Sequence, residues 1–164
     1  MRNIKLVMWG LLILPILSVG FIGKKYFFRF LPSATFVSLL LALMSEIADS
    51  RKWWKVKINI IPDLKTNVSF ILGSFFVGTL WVFKYSYGKF LRYIGINAVL
   101  DWFFAYPFTY LFQKMGVYKL IRFKQHQIFL TFLSYSVIIY WFQKMIEKYI
   151  LKTKEEEELM QETL

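Results

Sequence analysis

Cysteine is absent from this 164-residue chain, which excludes disulfides, thiol catalysis and cysteine-ligated metals and leaves the redox compartment unmarked. Histidine occurs once, at His126. A single imidazole cannot build a zinc site or a His-Glu-x-x-His protease motif, so no metal is expected. Acidic residues are scarce before the C-terminal tail: Glu46, Asp49, Asp63 and Asp101 are the only ones ahead of Glu147. No Gly-rich nucleotide loop is present, and no Gly/Ser linker or internal repeat divides the chain. One domain follows, with no cofactor implied.

Apolar and aromatic residues are abundant instead. The chain is 57% hydrophobic and 21% aromatic, whereas a soluble domain is roughly 45–50% apolar. A soluble fold of this size would be left with apolar surface large enough to aggregate. A lipid solvent removes that conflict. The net charge of +11 raises the question of nucleic acid. However, the Lys and Arg sit in short clusters between apolar runs, not on one face with exposed aromatics among them. That pattern suits phospholipid head groups and argues against a nucleic-acid partner. The high Lys, Ile, Phe and Tyr content suits an AT-rich bacterial genome, so a bacterial plasma membrane is the expected location.

A membrane helix needs about 20 mostly apolar residues. Five segments qualify, at about 6–23, 30–48, 68–83, 93–112 and 128–142, giving an all-α integral membrane bundle over 1–150. Residues 151–164 form a charged tail, flexible around Glu155–Glu158. Met145, Ile146, Tyr149 and Ile150 recur at helical spacing, so the last helix is expected to extend outward. The first segment also reads as a secretory signal, with Arg2 and Lys5 before it and Ser18-Val19-Gly20 as a cleavage site. Its length favours a retained helix; cleavage would leave four. Lys and Arg number eleven on one side of a five-helix arrangement and ten on the other. Without the acidic tail the bias favours a cytoplasmic N-terminus.

Between the second and third helices, Lys55 to Ile60 alternate in the period of an extended strand. Trp53 and Trp54, beside cations, are expected to anchor this stretch in the head-group layer. Pro62-Asp63 then reads as a turn. Ser69/Gly73 and Ser74/Gly78 have small-xxx-small spacing, which lets helices approach closely. Ser38, Ala42, Ser45 and Asp49 form a second small or polar stripe, expected to face other helices. Pro32 is expected to start the second helix, while Pro15 and Pro107 are expected to kink theirs.

An acidic residue within a bilayer costs at least a few kcal/mol and needs a reason. Asp101 sits well inside the fourth apolar segment, with Asn97 one turn earlier on the same face and able to hydrogen-bond it. Ala105, then Phe108 or Thr109, continue that face. Asp101 reads either as a helix-packing ion pair or hydrogen bond or as a proton, cation or substrate site facing the bundle interior. Glu46 and Asp49, three residues apart near the end of the second helix, read as edge residues pairing with Arg51 or Lys52. If helices two and four are neighbours, Glu46 and Asp101 could share one polar site. His126 reads as a surface residue in the loop before the last helix.

Known membrane-enzyme patterns do not fit. Rhomboid-type proteases need Gly-x-Ser-Gly, and phosphatidyltransferases of the alcohol type need several aspartates in one helix pair. Lipoprotein signal peptidases use two aspartates, whereas Asn97-Ala98-Val99-Leu100-Asp101 has one residue too many for their Asn-x-x-Asp. The sequence therefore leans away from an enzyme. The first expectation is a multi-pass protein acting through its helix faces, as a partner of other membrane proteins, an assembly factor or a complex subunit. The second is a small transporter or channel-like protein, a homo-oligomer with Asp101 and Asn97 lining a polar path. A lipid-modifying enzyme comes third.

Overall fold

The computed structural model describes residues 2–61 and 67–162, with side chains over 4–61 and 67–150. The fold is mostly helical. Helix α1 spans Arg2–Ser18 and ends in a 3-10 turn at Val19–Phe21; α2 spans Lys24–Ser50. A π-helical stretch at Ser69–Val77 runs directly into α3, Gly78–Ser86. Next come α4, Phe90–Phe103, a π-helical turn at Phe104–Phe108, and α5, Thr109–Lys114. Helix α6 spans Gln125–Glu162. Two three-residue strands, β1 (Trp54–Val56) and β2 (Tyr118–Leu120), complete the order.

Four helical segments are long and apolar enough to cross a membrane: Ile4–Phe21, Lys24–Ser50, Ser69–Ser86 and Gln125–Ile150. Their outward surfaces are apolar. Leu14, Leu39, Leu72 and Leu130, one from each, are all more than 40% exposed, which water would penalise and lipid would not. The fifth expected segment is helical throughout 90–114 but is not among those four. Asn97, Asp101 and Pro107 dilute its hydropathy.

Several boundaries differ from expectation. Gly23, at φ 87°, breaks the chain after α1, so α2 starts at Lys24 and encloses Pro32. Pro32 is thus an interior proline that removes one backbone donor, not a helix starter. The buried face of α2 is Phe30, Ala34, Val37, Leu41, Met44 and Ala48. The small-polar stripe lies beside it, with Ser38 and Ser45 half-buried and donating back to Ala34 O (3.0 Å) and Leu41 O (2.9 Å). Hydroxyls satisfied within their own turn need no neighbouring helix, so apolar burial sets the face. Around Pro107 the missing N–H is absorbed by the π turn, where Thr109 Oγ1 donates to Phe104 O at 2.9 Å. His126 lies in the first turn of α6 and is exposed. The Pro62-Asp63 turn lies outside the described residues.

Two tethers hold the bundle at its ends. At one end β1 pairs antiparallel with β2, Trp54 opposite Leu120 and Val56 opposite Tyr118. Trp53 O accepts from the backbone N–H groups of Ile121, Arg122 and Phe123, and the Trp53 ring stacks on Phe123 at 4.8 Å. The alternating stretch is therefore strand only over Trp54–Val56; Lys57 N and Ile58 N then both donate to Val117 O. At the other end Arg29 makes a two-point contact with Glu147, from Nε at 2.7 Å and Nη2 at 3.1 Å. Tyr87 OH donates to Glu147 at 2.9 Å, and Gln143 Nε2 donates to Arg29 O and Glu147. Ser33 Oγ donates to Gln143 Oε1 at 2.7 Å. This network joins α2, α6 and the α3–α4 turn.

Helix α1 is fastened mainly to the π-helical stretch. Met8 is fully buried against a cluster containing Phe70, Phe112 and Val117. A Cβ on Gly73 would collide with Leu11 O and lie 2.9 Å from Leu11 C and 3.1 Å from Leu12 Cα; at Gly78 it would meet nothing within 4 Å. Gly73→Leu is accordingly expected to separate α1 from its neighbour and cost about 1–3 kcal/mol, whereas Gly78→Ala should be tolerated. Thermal unfolding in detergent checks this; equal melting temperatures for both variants would contradict the close approach at Gly73.

Candidate functional site

Tyr93, Asn97 and Asp101 recur every four residues on α4 and so share one face. That face meets α6, where Phe132, Tyr135, Ser136 and Ile139 recur at helical spacing. Val37 and Leu41 of α2, with Phe75 and Thr79 from the third helical segment, complete the wall of a cavity of about 40 Å³. The contact is pinned by Tyr93 OH, which donates to Ser136 O at 3.1 Å.

Asp101 is buried, with 7% of its surface exposed. The Asn97 amide donates to Tyr93 O at 2.9 Å, within its own helix. The hydrogen bond to Asp101 expected from the sequence is thus replaced by a local one, because an amide at this register reaches the carbonyl one turn back as readily as the side chain one turn on. Ser136 is the side chain in hydrogen-bonding contact with the carboxyl, and its hydroxyl also lies 3.1 Å from Phe132 O, to which it donates. Asp101 Oδ2 is fully shielded and has no hydrogen-bond partner among the described residues. Among the described residues no Lys, Arg or His lines the cavity. The ion-pair reading of Asp101 therefore lacks its cation.

The other polar candidates lie elsewhere. Glu46 is exposed and Asp49 half-buried near the far end of α2, and neither lines the Asp101 cavity. Trp53 and Trp54 are half-buried at the sheet. Ser69 is buried with its Oγ unpartnered, Ser74 is half-buried, and Gly73 and Gly78 sit as described above. Among the described residues no group of three His, Asp or Glu side chains could hold a metal ion.

The Ser33–Gln143–Glu147–Arg29–Tyr87 network escapes sequence reading. Its only local signal is the four-residue spacing of Gln143 and Glu147, while Arg29 lies 118 residues from Glu147. Gln143 is wholly buried yet bonded at both ends. Its chemistry is that of a clasp, in contrast to Asp101, whose Oδ2 has no partner among the described residues. No protein-family model matches the chain, and neither a curated protein nor a solved structure is similar to it.

A buried polar group kept for its chemistry costs stability, whereas a satisfied one contributes it. Asp101→Asn preserves shape and removes the charge, so its melting temperature in detergent should equal or exceed that of the unaltered protein. Gln143→Ala strands Ser33 Oγ and takes a donor from Arg29 O and from Glu147, which keeps Arg29 and Tyr87, and should cost about 1–3 kcal/mol. A loss on Asp101→Asn as large as that of Gln143→Ala would mark Asp101 as structural.

Proposed function

We propose that this chain is a multi-pass plasma-membrane protein of five helical crossings whose working site is the Asp101 cavity, and that it acts as a small transporter or channel-like protein. The observation that carries this reading is Asp101 itself, buried in the wall of a cavity lined by no basic side chain among the described residues, with its Oδ2 unpartnered. A carboxyl in that setting takes up either a proton or a cation, since leaving it charged and unpaired is costly. Tyr93, Asn97, Thr79, Tyr135 and Ser136 supply polar groups around it. Four helical segments of one chain already surround the cavity, so the binding site itself needs no second copy. A homo-oligomer would bear on the route to it.

The fifth crossing draws support from the two end tethers. Segment 90–114 leaves the end held by Arg29, Tyr87 and Glu147 and arrives at the end held by β1–β2. Twenty-five residues of helix span about 35 Å, against roughly 30 Å of hydrocarbon. The buried seat of Met8 and the contact at Gly73 favour α1 as a retained helix.

The competing reading, a partner or complex subunit, draws on the apolar outer face of α1, with Leu6, Ile13, Leu14 and Leu17 exposed. Lipid alone would cover that face, so the cavity carries the preference. A lipid-modifying enzyme would need a second acid converging on Asp101, and Glu46 and Asp49 do not line its cavity.

The absence of native cysteine makes topology directly testable. Lys55→Cys and Lys119→Cys should react with an impermeant maleimide from one side of the membrane and Lys89→Cys from the other. Labelling of Lys89→Cys and Lys119→Cys from the same side would remove the fifth crossing. For function, purified protein in liposomes should carry proton or sodium flux under an imposed potential, and Asp101→Asn should reduce it to the level of empty vesicles. Equal flux at equal protein density in both would end the transport reading.

A further inference from the structure

A second cavity, of about 90 Å³, lies against the first. Leu41, Phe75 and Phe132 belong to both walls. Beyond them the second cavity is bounded by Phe70, Ile71 and Phe104 and is roofed by the inward side chains of the sheet, Trp54, Val56, Tyr118 and Leu120. Asn67 and Ser45 are polar members of that wall. The rings of Phe75, Phe104 and Phe132 form a closed triangle with centroids 4.9, 5.0 and 5.4 Å apart.

A small acidic chamber thus adjoins a larger apolar, aromatic one. An inorganic cation uses only the first. Among the described residues no group of three His, Asp or Glu could hold a metal ion, so one bound here would have a single carboxyl and neutral oxygens as ligands and would leave the apolar space unused. A neutral apolar molecule uses only the second and leaves the Asp101 oxygen unpaired. An organic ammonium ion with a short apolar body satisfies both. Its N–H groups donate to the carboxyl as charge-assisted hydrogen bonds, the flanking rings favour the positive charge, and the carbon chain takes the apolar space. We propose that Asp101 and the adjoining apolar cavity together form a binding site for a small primary alkylammonium ion.

This assignment rests on the reading of Asp101 as a cation site and narrows its ligand. Size sets the chain length. A cavity of roughly 150 Å³ accepts the six carbons of benzene; the two chambers, of about 90 and 40 Å³, together hold about 130 Å³, so a ligand of about five or six non-hydrogen atoms, nitrogen included, fits. Both chambers are partly open; a ligand that spans them requires the shared side chains Leu41, Phe75 and Phe132 to yield, which rotamer changes allow more cheaply than backbone movement.

The test uses the full chain in lipid nanodiscs with radiolabelled n-pentylammonium and empty nanodiscs as the blank. Saturable binding is expected, at least tenfold weaker in Asp101→Asn and likewise in Ile71→Phe, which fills the apolar chamber. Unlabelled n-pentanol, similar in shape but uncharged, should compete at least tenfold less well than unlabelled n-pentylammonium. Competition by n-pentanol equal to that by n-pentylammonium overturns the assignment. This comparison needs no variant, so a folding failure of Asp101→Asn does not blunt it. Asp101-dependent proton or sodium flux without n-pentylammonium binding refutes this site and leaves the transport reading standing. Neither flux nor binding refutes both.

Discussion

Backbone groups in the connections 51–61 and 115–124 have left the helices and must find partners, and they find each other. The pairing of β1 with β2, extended by the three amides on Trp53 O and the two on Val117 O, is the constraint on which the arrangement of the helices depends. It joins the chain between the second and third helical segments to the chain before α6. Once those connections share an end, 90–114 has to return from the opposite one. The sheet's inner side chains then roof the apolar cavity, so a six-residue sheet sets both the path of the chain and the shape of one chamber.

The opposite end is held by side chains instead of backbone. Arg29 and Glu147 are partly exposed, at 41% and 23%, and an ion pair of that kind contributes modestly alone. Its strength comes from being shared: Tyr87, Gln143 and, through Gln143, Ser33 all converge on it. Phe30, Phe83, Tyr93 and Tyr140 pack just inside the clasp as a continuous run of rings. A polar network beside an aromatic core keeps α2 and α6 in register. That register brings Ser136 opposite Asp101 and closes the cavity.

The contrast between the two polar clusters carries the functional argument. Both lie among apolar helices, where an unmade hydrogen bond is expensive. In the Gln143 cluster donors and acceptors answer one another. In the Asp101 cluster Tyr93 and Asn97 donate to backbone carbonyls, Ser136 is shared between Phe132 O and the acid, and Oδ2 is left over among the described residues. The proposed cation site rests on that difference, together with the polar lining and the absence of a basic side chain from the cavity wall among the described residues.

Much of this protein was legible in its residues. Apolar runs of membrane-crossing length, the breaks marked by Lys and Arg, the strand-like alternation after Trp54, and Asp101 as the acid that needs a reason all follow from local composition and period. These features depend on neighbours within one or two turns, which a linear reading contains. Some local readings still failed. Pro32 lies inside a helix because Gly23 breaks the chain earlier, and Asn97 bonds to its own turn. What only the tertiary structure decided is which distant groups meet: Arg29 with Glu147, β1 with β2, Leu11 with Gly73, and the apolar cavity with the Asp101 chamber. Those meetings are set by helix rotation and packing, since apolar faces this continuous leave many rotations nearly equal in burial. The few polar pairings break the tie, and their partners lie far apart in the chain.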